Sequence, residues 1–566
     1  MWYLSQLAKR FIPKNYPGQL VLALLSFFIF DLLSWLGWQY VWSGNIIVII
    51  LVLLWYLVAC RSLSLGVTLL LTELIVGSFG HSLSLVLGDF TVSLRILLFL
   101  AAFTLLIWCL VIKRTLVVFK SGRLGWWYLT CLAALGWGSA VALLRGHGLA
   151  DFFLDLNNYL YLLLFPLYWE AAVEQKSLTW WRYLLLPALG WLAFKTIITL
   201  YLFSHLDTFT LLPYYQWWRQ TGFGEITYVS GNFFRVFSQS QIYACLASVA
   251  GLAYLWFNRN NAIIWHKILP LYFFTWVNLI VLLASLSRSF WLGSTVALVL
   301  MFVPALIYRR ASANNLLKYL LTVFILIISA AGFVIFVTRV SWPLPPLGEA
   351  NAKIFSERLT SEPAGQSRLK LLGPLWQEVT KHPLMGSGFG ATVTYYSADP
   401  RIVKSTAGGS GLVTTYAFEW GYLDMWLKFG LIGLFGILGF FIVVLWPAFK
   451  YWWRENSKAG ILAVVILAFL TINLTTPYLN HPLGLGVIMA MAAYLSTFAE
   501  DHGRQAVDEC EWWTLRSSKS EGGCFGACLS ARQGFRQKDN EAPACRQAGK
   551  SSEASFNQSG KAKTLL

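Results

Sequence analysis

Residues 418–434 read FEWGYLDMWLKFGLIGL. A carboxylate, Glu419, stands beside Trp420 just ahead of a glycine-studded apolar run that continues toward residue 449. About 20 predominantly apolar residues suffice to cross a bilayer, so this stretch joins a polar segment to a membrane span. The whole chain repeats that alternation. Of its 566 residues, 57% are hydrophobic and 12% charged, against about 25% charged in a soluble domain, and mean hydropathy is +0.60. Aromatic residues make up 16%, with 28 Trp, as expected where rings gather at the two membrane interfaces. Composition therefore defines an integral membrane protein.

Apolar runs predict about fourteen spans, near 19–37, 45–60, 63–80, 92–112, 126–144, 156–172, 182–203, 238–257, 268–285, 289–309, 316–338, 429–449, 459–476 and 482–499. The expected fold is all-α: a polytopic bundle of about 12–14 transmembrane helices with a large outer loop containing short helices. With a cytoplasmic N-terminus, each inner loop carries basic residues, among them Lys9, Arg61, Lys113, Arg182, Arg259, Arg309 and Lys450, as cytoplasmic loops do. The +17 net charge thus reads as topological anchoring, not as nucleic-acid binding. The organisation expected is N-terminal spans over 1–90, a transmembrane core over 91–338, an extracytoplasmic loop over 339–428, C-terminal spans over 429–499 and a polar tail over 500–566. That tail is rich in Ser, Gly, Lys, Gln and Glu and predicts disorder; an even span count places it in the cytoplasm. Cys60, Cys109, Cys131 and Cys245 read as small buried hydrophobes. Cys510, Cys524, Cys528 and Cys545 lack paired C-x-x-C units for zinc. The start, with Lys9, Arg10 and Lys14 ahead of the first span, carries no small-residue cleavage site.

Arginines at the outer edge oppose the usual charge bias. They are Arg95, Arg145, Arg235, Arg288 in the short turn LASLSRSFWLGS, and Arg358 and Arg368 in the long loop. Snorkelling or ion pairs with Asp89, Asp151 or Glu225 would account for some of them. Several around one cavity would instead hold an anion, because guanidinium forks match phosphate oxygens. A lipid diphosphate is the natural anion at that depth. The turn HPLMGSGFG, 382–390, lets backbone approach closely, yet lacks the G-K-[ST] of a phosphate loop.

These elements together resemble the O-antigen ligase and polymerase superfamily, polytopic bacterial enzymes acting on undecaprenyl-diphosphate-linked glycans. The resemblance covers roughly 90–500 and is strongest from Arg235 to Gly433, through FRVFS, SLSRSFWLG, QSRLKLLGPLWQEVTKHPLMGSGFG and the helix ending GLIGL. In that family the helix before GLIGL begins His-Asn-x-Tyr-Leu; here the same register reads Glu419-Trp420-Gly421-Tyr422-Leu423. What the resemblance implies is metal-independent, cofactor-free glycosyl transfer at the outer face of a bacterial cytoplasmic membrane. The donor is an undecaprenyl-diphosphate glycan and the acceptor a glycan, lipid or protein hydroxyl. Glu419 would stand in for the family's base. Arg235 and Arg288 would stabilise the departing diphosphate, with Arg95, Arg145, Arg358, Arg368 and Tyr422 contacting substrate. Asp424 is an alternative base, and His382, ahead of a proline, reads as structural. A protein O-oligosaccharyltransferase and a lipid-glycan transporter are the competing readings. Transporters place functional charge near the midplane, often in repeated halves, and no internal repeat is evident.

Overall fold

The computed structural model describes residues 16–495, apart from stretches within 114–121, 174–176, 259–264, 304–311, 349–352, 361–362, 398–409 and 454–456. In chain order the elements begin with α1 (Tyr16–Gln39), α2 (Val41–Arg61), α3 (Leu63–Val76) and a hairpin of β1 (Ser84–Leu87) and β2 (Phe90–Ser93). Next come α4 (Leu94–Lys113), α5 (Gly122–Leu144), α6 (Leu149–Leu160), a 3₁₀ turn Tyr161–Leu164, α7 (Phe165–Val173), α8 (Ser177–His205) and α9 (Leu212–Gln220). A second hairpin, β3 (Glu225–Ser230) and β4 (Phe233–Phe237), precedes α10 (Gln241–Phe257), α11 (Trp265–Ala284), α12 (Arg288–Met301) and α13 (Ala313–Arg339). The long segment then holds α14 (Lys353–Thr360), α15 (Pro363–Lys381) and a third hairpin, β5 (Val393–Tyr396) with β6 (Leu412–Thr415). The described chain closes with α16 (Gly421–Trp453), α17 (Ser457–Ile472) and α18 (Pro482–Leu495).

Seven of these helices are long and apolar enough to cross a membrane, and six more are apolar but of 10–17 residues. Their outer surfaces expose Leu, Ile and Phe side chains, such as Leu320, Phe324, Ile325 and Ile328 on α13. No water-facing helix would leave such a band uncovered. The chain is a multi-pass membrane protein. The span expected at 156–172 is instead broken into α6, the 3₁₀ turn and α7. An otherwise helical architecture carries three antiparallel two-stranded sheets that the apolar pattern did not show. Of the membrane-region cysteines, Cys131 and Cys245 are buried, whereas Cys60 is exposed and Cys109 half-buried. The tail and its cysteines lie outside the described residues, as do Arg114, Lys176 and Arg310, on which the expected orientation partly rests.

The interhelical segments expected on the outer side do meet at one end of the bundle. Trp38 Nε1 donates to Gln220 Oε1 at 2.8 Å, Phe79 N to Gly222 O at 3.3 Å and Leu347 N to Ser204 O at 3.0 Å. At the same end, Tyr478 OH donates to Gln239 Oε1 at 2.9 Å.

The opening stretch forms the central device of this end. Helix α16 breaks at Gly430, whose backbone is left-handed (φ 64°, ψ −178°). In an unbroken helix Leu431 N–H and Ile432 N–H would donate to the carbonyls of Leu427 and Lys428. Here they donate to Pro383 O (2.9 Å) and Leu384 O (3.3 Å). The carbonyls so released accept from Ser387 N–H (2.5 Å) and Gly388 N–H (3.1 Å). The turn 383–388 therefore inserts into two rungs of the helix ladder and satisfies every group it displaces, as a hydrocarbon setting demands. HPLMGSGFG does bring backbone close to something, but its partner is the chain's own helix. A Cβ on Gly430 would lie 2.1 Å from Leu384 O, and one on Gly386 2.4 Å from Gly430 N.

Gly430→Ala is accordingly expected to destabilise by on the order of 2 kcal/mol or more, combining positive-φ strain with a backbone clash. Gly332→Ala, with open space around its Cβ, is expected to be neutral or mildly stabilising. Thermal midpoints in detergent compare the two, and equal midpoints would contradict the insertion.

Candidate active site at the loop end of the bundle

A cavity of about 560 Å³ opens at this end, within the usual size range of small-ligand sites. Six separate parts of the chain supply its charged walls. Strand β4 presents Arg235, whose Nε donates to Ser285 O at 2.7 Å and whose guanidinium stacks 4.5 Å from the Phe237 ring centre. The three-residue turn 285–287 after α11 leads into Arg288, the first residue of α12. Leu286 in that turn is left-handed (φ 46°), the usual way to stop a helix abruptly. Ser287 makes no side-chain cap to α12; a helix N-terminus and an arginine thus coincide, both favouring an anion. Helix α15 contributes Arg368, and the segment ahead of α16 contributes Glu419.

Arg219 at the end of α9 also lines the cavity, a residue the outer-edge arginines singled out above do not include. Its signal was present, since QWWRQTGFG lies in a long outer segment. Four guanidinium groups thus face two carboxylates, Glu225 and Glu419, among hydroxyls of Ser287, Ser289, Thr475 and Thr476. Ser289 accepts from Thr476 Oγ1 at 2.9 Å, tying the turn to the 473–481 loop. Glu419 is half exposed, and both its oxygens accept from Arg368: Nε donates to Oε2, and Nη2 to Oε1 at 3.2 Å. Trp420 Nε1 donates to Arg368 O at 2.9 Å, which locks the two segments together.

Other expected site residues lie elsewhere. Arg95 forms a two-pronged ion pair with Glu73 (3.0 Å on each arm) and donates to Ser78 O at 2.5 Å. Its partner is a carboxylate inside an apolar helix, none of Asp89, Asp151 and Glu225. Arg145 is exposed in a separate depression beside Asp151 and Glu378. Tyr422 donates to Leu470 O at 2.9 Å, joining α16 to α17 outside the cavity. Arg358 lies on α14, but its side chain is outside the described residues.

Asp424 does not reach the cavity either. It is fully buried, accepting from Asn480 Nδ2 at 2.6 Å and pairing with Lys428 at 2.6 Å. Lys428 also pairs with Asp155 on α6 at 2.5 Å, and Asp155 Oδ2 accepts from Gly390 N–H at 2.9 Å. This triad was legible only as a lysine within MWLKFGLIGL. A second buried pair, Asp31 with Lys195 at 3.0 Å, joins α1 to α8. Ionisable groups in apolar runs signal pairing or function; here each is paired.

Compared with known protein-family models and with curated proteins, the sequence matches none.

The triad and the Arg368–Glu419 pair make opposite predictions. Lys428→Met strands two buried carboxylates and is expected to destabilise by about 3–5 kcal/mol, whereas Arg368→Gln, at a half-exposed pair, is expected to change stability by no more than about 1 kcal/mol. Thermal midpoints in detergent separate them. A pH dependence follows from His481, half-buried beside Phe79. Burial first, then the Arg95 charge, pushes its pKa from 6.5 down to about 3. The unfolded chain therefore takes up a proton that the folded one refuses between those values, so stability falls as pH drops below about 6.5. His481→Gln is expected to flatten the midpoint-versus-pH curve across pH 7 to 4; an unchanged slope would refute this.

Proposed function

We propose that the chain is a glycosyltransferase of the O-antigen ligase and polymerase type. It transfers a glycan from an undecaprenyl-diphosphate donor to an acceptor hydroxyl at the outer face of a bacterial cytoplasmic membrane. The observation that supports this reading is the convergence of Arg235, Arg288 and Arg368 with Glu419 on one cavity at the loop end of the bundle. These residues come from four elements far apart in the chain, at a level where a lipid-borne diphosphate and a water-borne acceptor would meet.

The chemistry fits the groups present. The acceptor oxygen attacks the anomeric carbon, the bond from that carbon to the diphosphate oxygen breaks, and its electron pair leaves with the lipid diphosphate. Negative charge grows on the leaving group, and fixed guanidinium groups stabilise it more in the transition state than in the ground state. Glu419 takes the acceptor proton. Each carboxylate oxygen has two lone pairs, so the contact with Arg368 leaves room to accept. An arriving phosphate would also compete for Arg368 and loosen that contact. The acceptor hydroxyl belongs to a glycan, a lipid or, as in a protein O-oligosaccharyltransferase, a protein side chain. One observation favours a lipid-glycan transporter instead: the buried pairs Asp31–Lys195 and Asp424–Lys428 lie within apolar helices.

Purified protein given an undecaprenyl-diphosphate oligosaccharide and candidate acceptors is expected to release lipid diphosphate. Arg288→Ala and Glu419→Gln are each expected to slow release about 100-fold without altering the thermal midpoint. Full activity in Glu419→Gln would remove it as the base. Movement of the donor across proteoliposomes without turnover would favour transport.

A further inference from the structure

Beside the arginine-lined cavity lies a second one, of about 500 Å³. Phe79 lines both, and the segment from Tyr416 to Glu419 runs from the second cavity to the first. The two differ in charge. Among the described residues no carboxylate lines the second cavity, and its single guanidinium, Arg95, is already neutralised by Glu73. Partial desolvation and the Arg95 charge push the pKa of both its imidazoles, His81 at the exposed rim and half-buried His481, below the ordinary value and disfavour their cationic forms. An anion would find no net attraction there.

What the walls offer instead is directional hydrogen bonding beside apolar surface. Asn157 and Asn158 present amides, and Phe79, Phe99 and Phe153 present rings. Leu483 N–H donates to His481 Nδ1 at 3.2 Å, which puts the imidazole proton on Nε2 and makes that nitrogen a donor. Arg95 lines the cavity with a side chain only 8% exposed; Glu73 and Ser78 O hold its guanidinium and Nη1 is closed off from solvent, so it shapes the wall rather than donating to a ligand. Gly80, whose Cβ would meet Arg95 Nε at 2.7 Å, leaves the room for this guanidinium to sit where it does.

Amide and imidazole donors set among aromatic faces, without net charge, match a sugar ring: hydroxyls around its rim and C–H groups on its faces. We propose that the second cavity binds a neutral sugar unit of the glycan, next to the diphosphate held in the first. Its place in catalysis rests on the glycosyl-transfer reading; its ligand class does not.

The test uses the intact protein in nanodiscs, titrated with a panel of uncharged mono- and disaccharides and, separately, with inorganic pyrophosphate. Saturation-transfer NMR and calorimetry read binding. A saccharide is expected to bind wild type, and Asn157→Leu to weaken it about tenfold while leaving pyrophosphate affinity unchanged; Arg288→Ala is expected to do the reverse. Thr91→Trp, on the exposed rim of the β1–β2 hairpin, fills the same cavity and serves if Asn157→Leu does not fold. No binding by any saccharide, or binding that survives both cavity variants, overturns the proposal. Where turnover is measurable, a raised acceptor KM in these variants assigns the sugar to the acceptor, and a raised donor KM to the donor. Saccharide binding that the variants abolish, in a protein without turnover, would sink the glycosyl-transfer reading and leave this cavity's ligand class standing.

Discussion

A membrane helix that breaks must find new partners for the backbone groups it frees, because lipid supplies none. Helix α16 breaks at Gly430, and the turn 383–388 supplies both missing acceptors and both missing donors. Much of the loop end hangs from that exchange. The same turn carries Phe389 inward to pack on Phe429 and Tyr159, with ring centres 5.2 and 5.5 Å away. It also brings Gly390 N–H to Asp155, the carboxylate that pairs with Lys428. The short N-terminal arm of α16 is thereby anchored on both sides, and Glu419, two residues ahead of its start, is set at the cavity rather than on a free loop.

Two classes of ion pair divide the work. Asp155, Asp424 and Lys428 are almost wholly buried and hydrogen-bonded at nearly every position; they hold elements in register, and breaking one leaves uncompensated charge in a low-dielectric place. Arg368 and Glu419 meet where side chains are a third to a half exposed, so their mutual attraction is small and a competing anion can redistribute it. The cavity's arginines come from a strand, a helix start, a helix end and a loop helix. No single element fixes their spacing; the bundle end does.

The sequence was most informative where hydrophobicity alone decides structure. Apolar runs located the helices, and the outer-edge bias singled out Arg235, Arg288 and Arg368, which do share a cavity with Glu419. Pairing partners were less legible. Arg95 was assigned to substrate because its partner, Glu73, lies 22 residues away inside an apolar helix, where no local pattern joins them. Asp424 looked like a second base, since nothing near it in the chain reveals Asp155 and Asn480. Tyr422 looked like a substrate contact, and its hydroxyl goes to a neighbouring helix carbonyl. The hairpins escaped notice because four-residue strands such as Ser84–Leu87 leave too little alternation to detect. That α16 breaks at Gly430 depends on a turn that starts 47 residues earlier, at Pro383, which no local pattern around the glycine reveals.

On the reading proposed above, the arginine cavity holds a lipid-borne diphosphate. Native mass spectrometry of the purified protein with undecaprenyl diphosphate, and with undecaprenol as the uncharged control, tests it most directly. Diphosphate-dependent binding is expected, weakened by about tenfold or more in the Arg235→Ala/Arg288→Ala double variant at an unchanged thermal midpoint. Equal retention of undecaprenol, or a double variant that binds the diphosphate as wild type does, would contradict it.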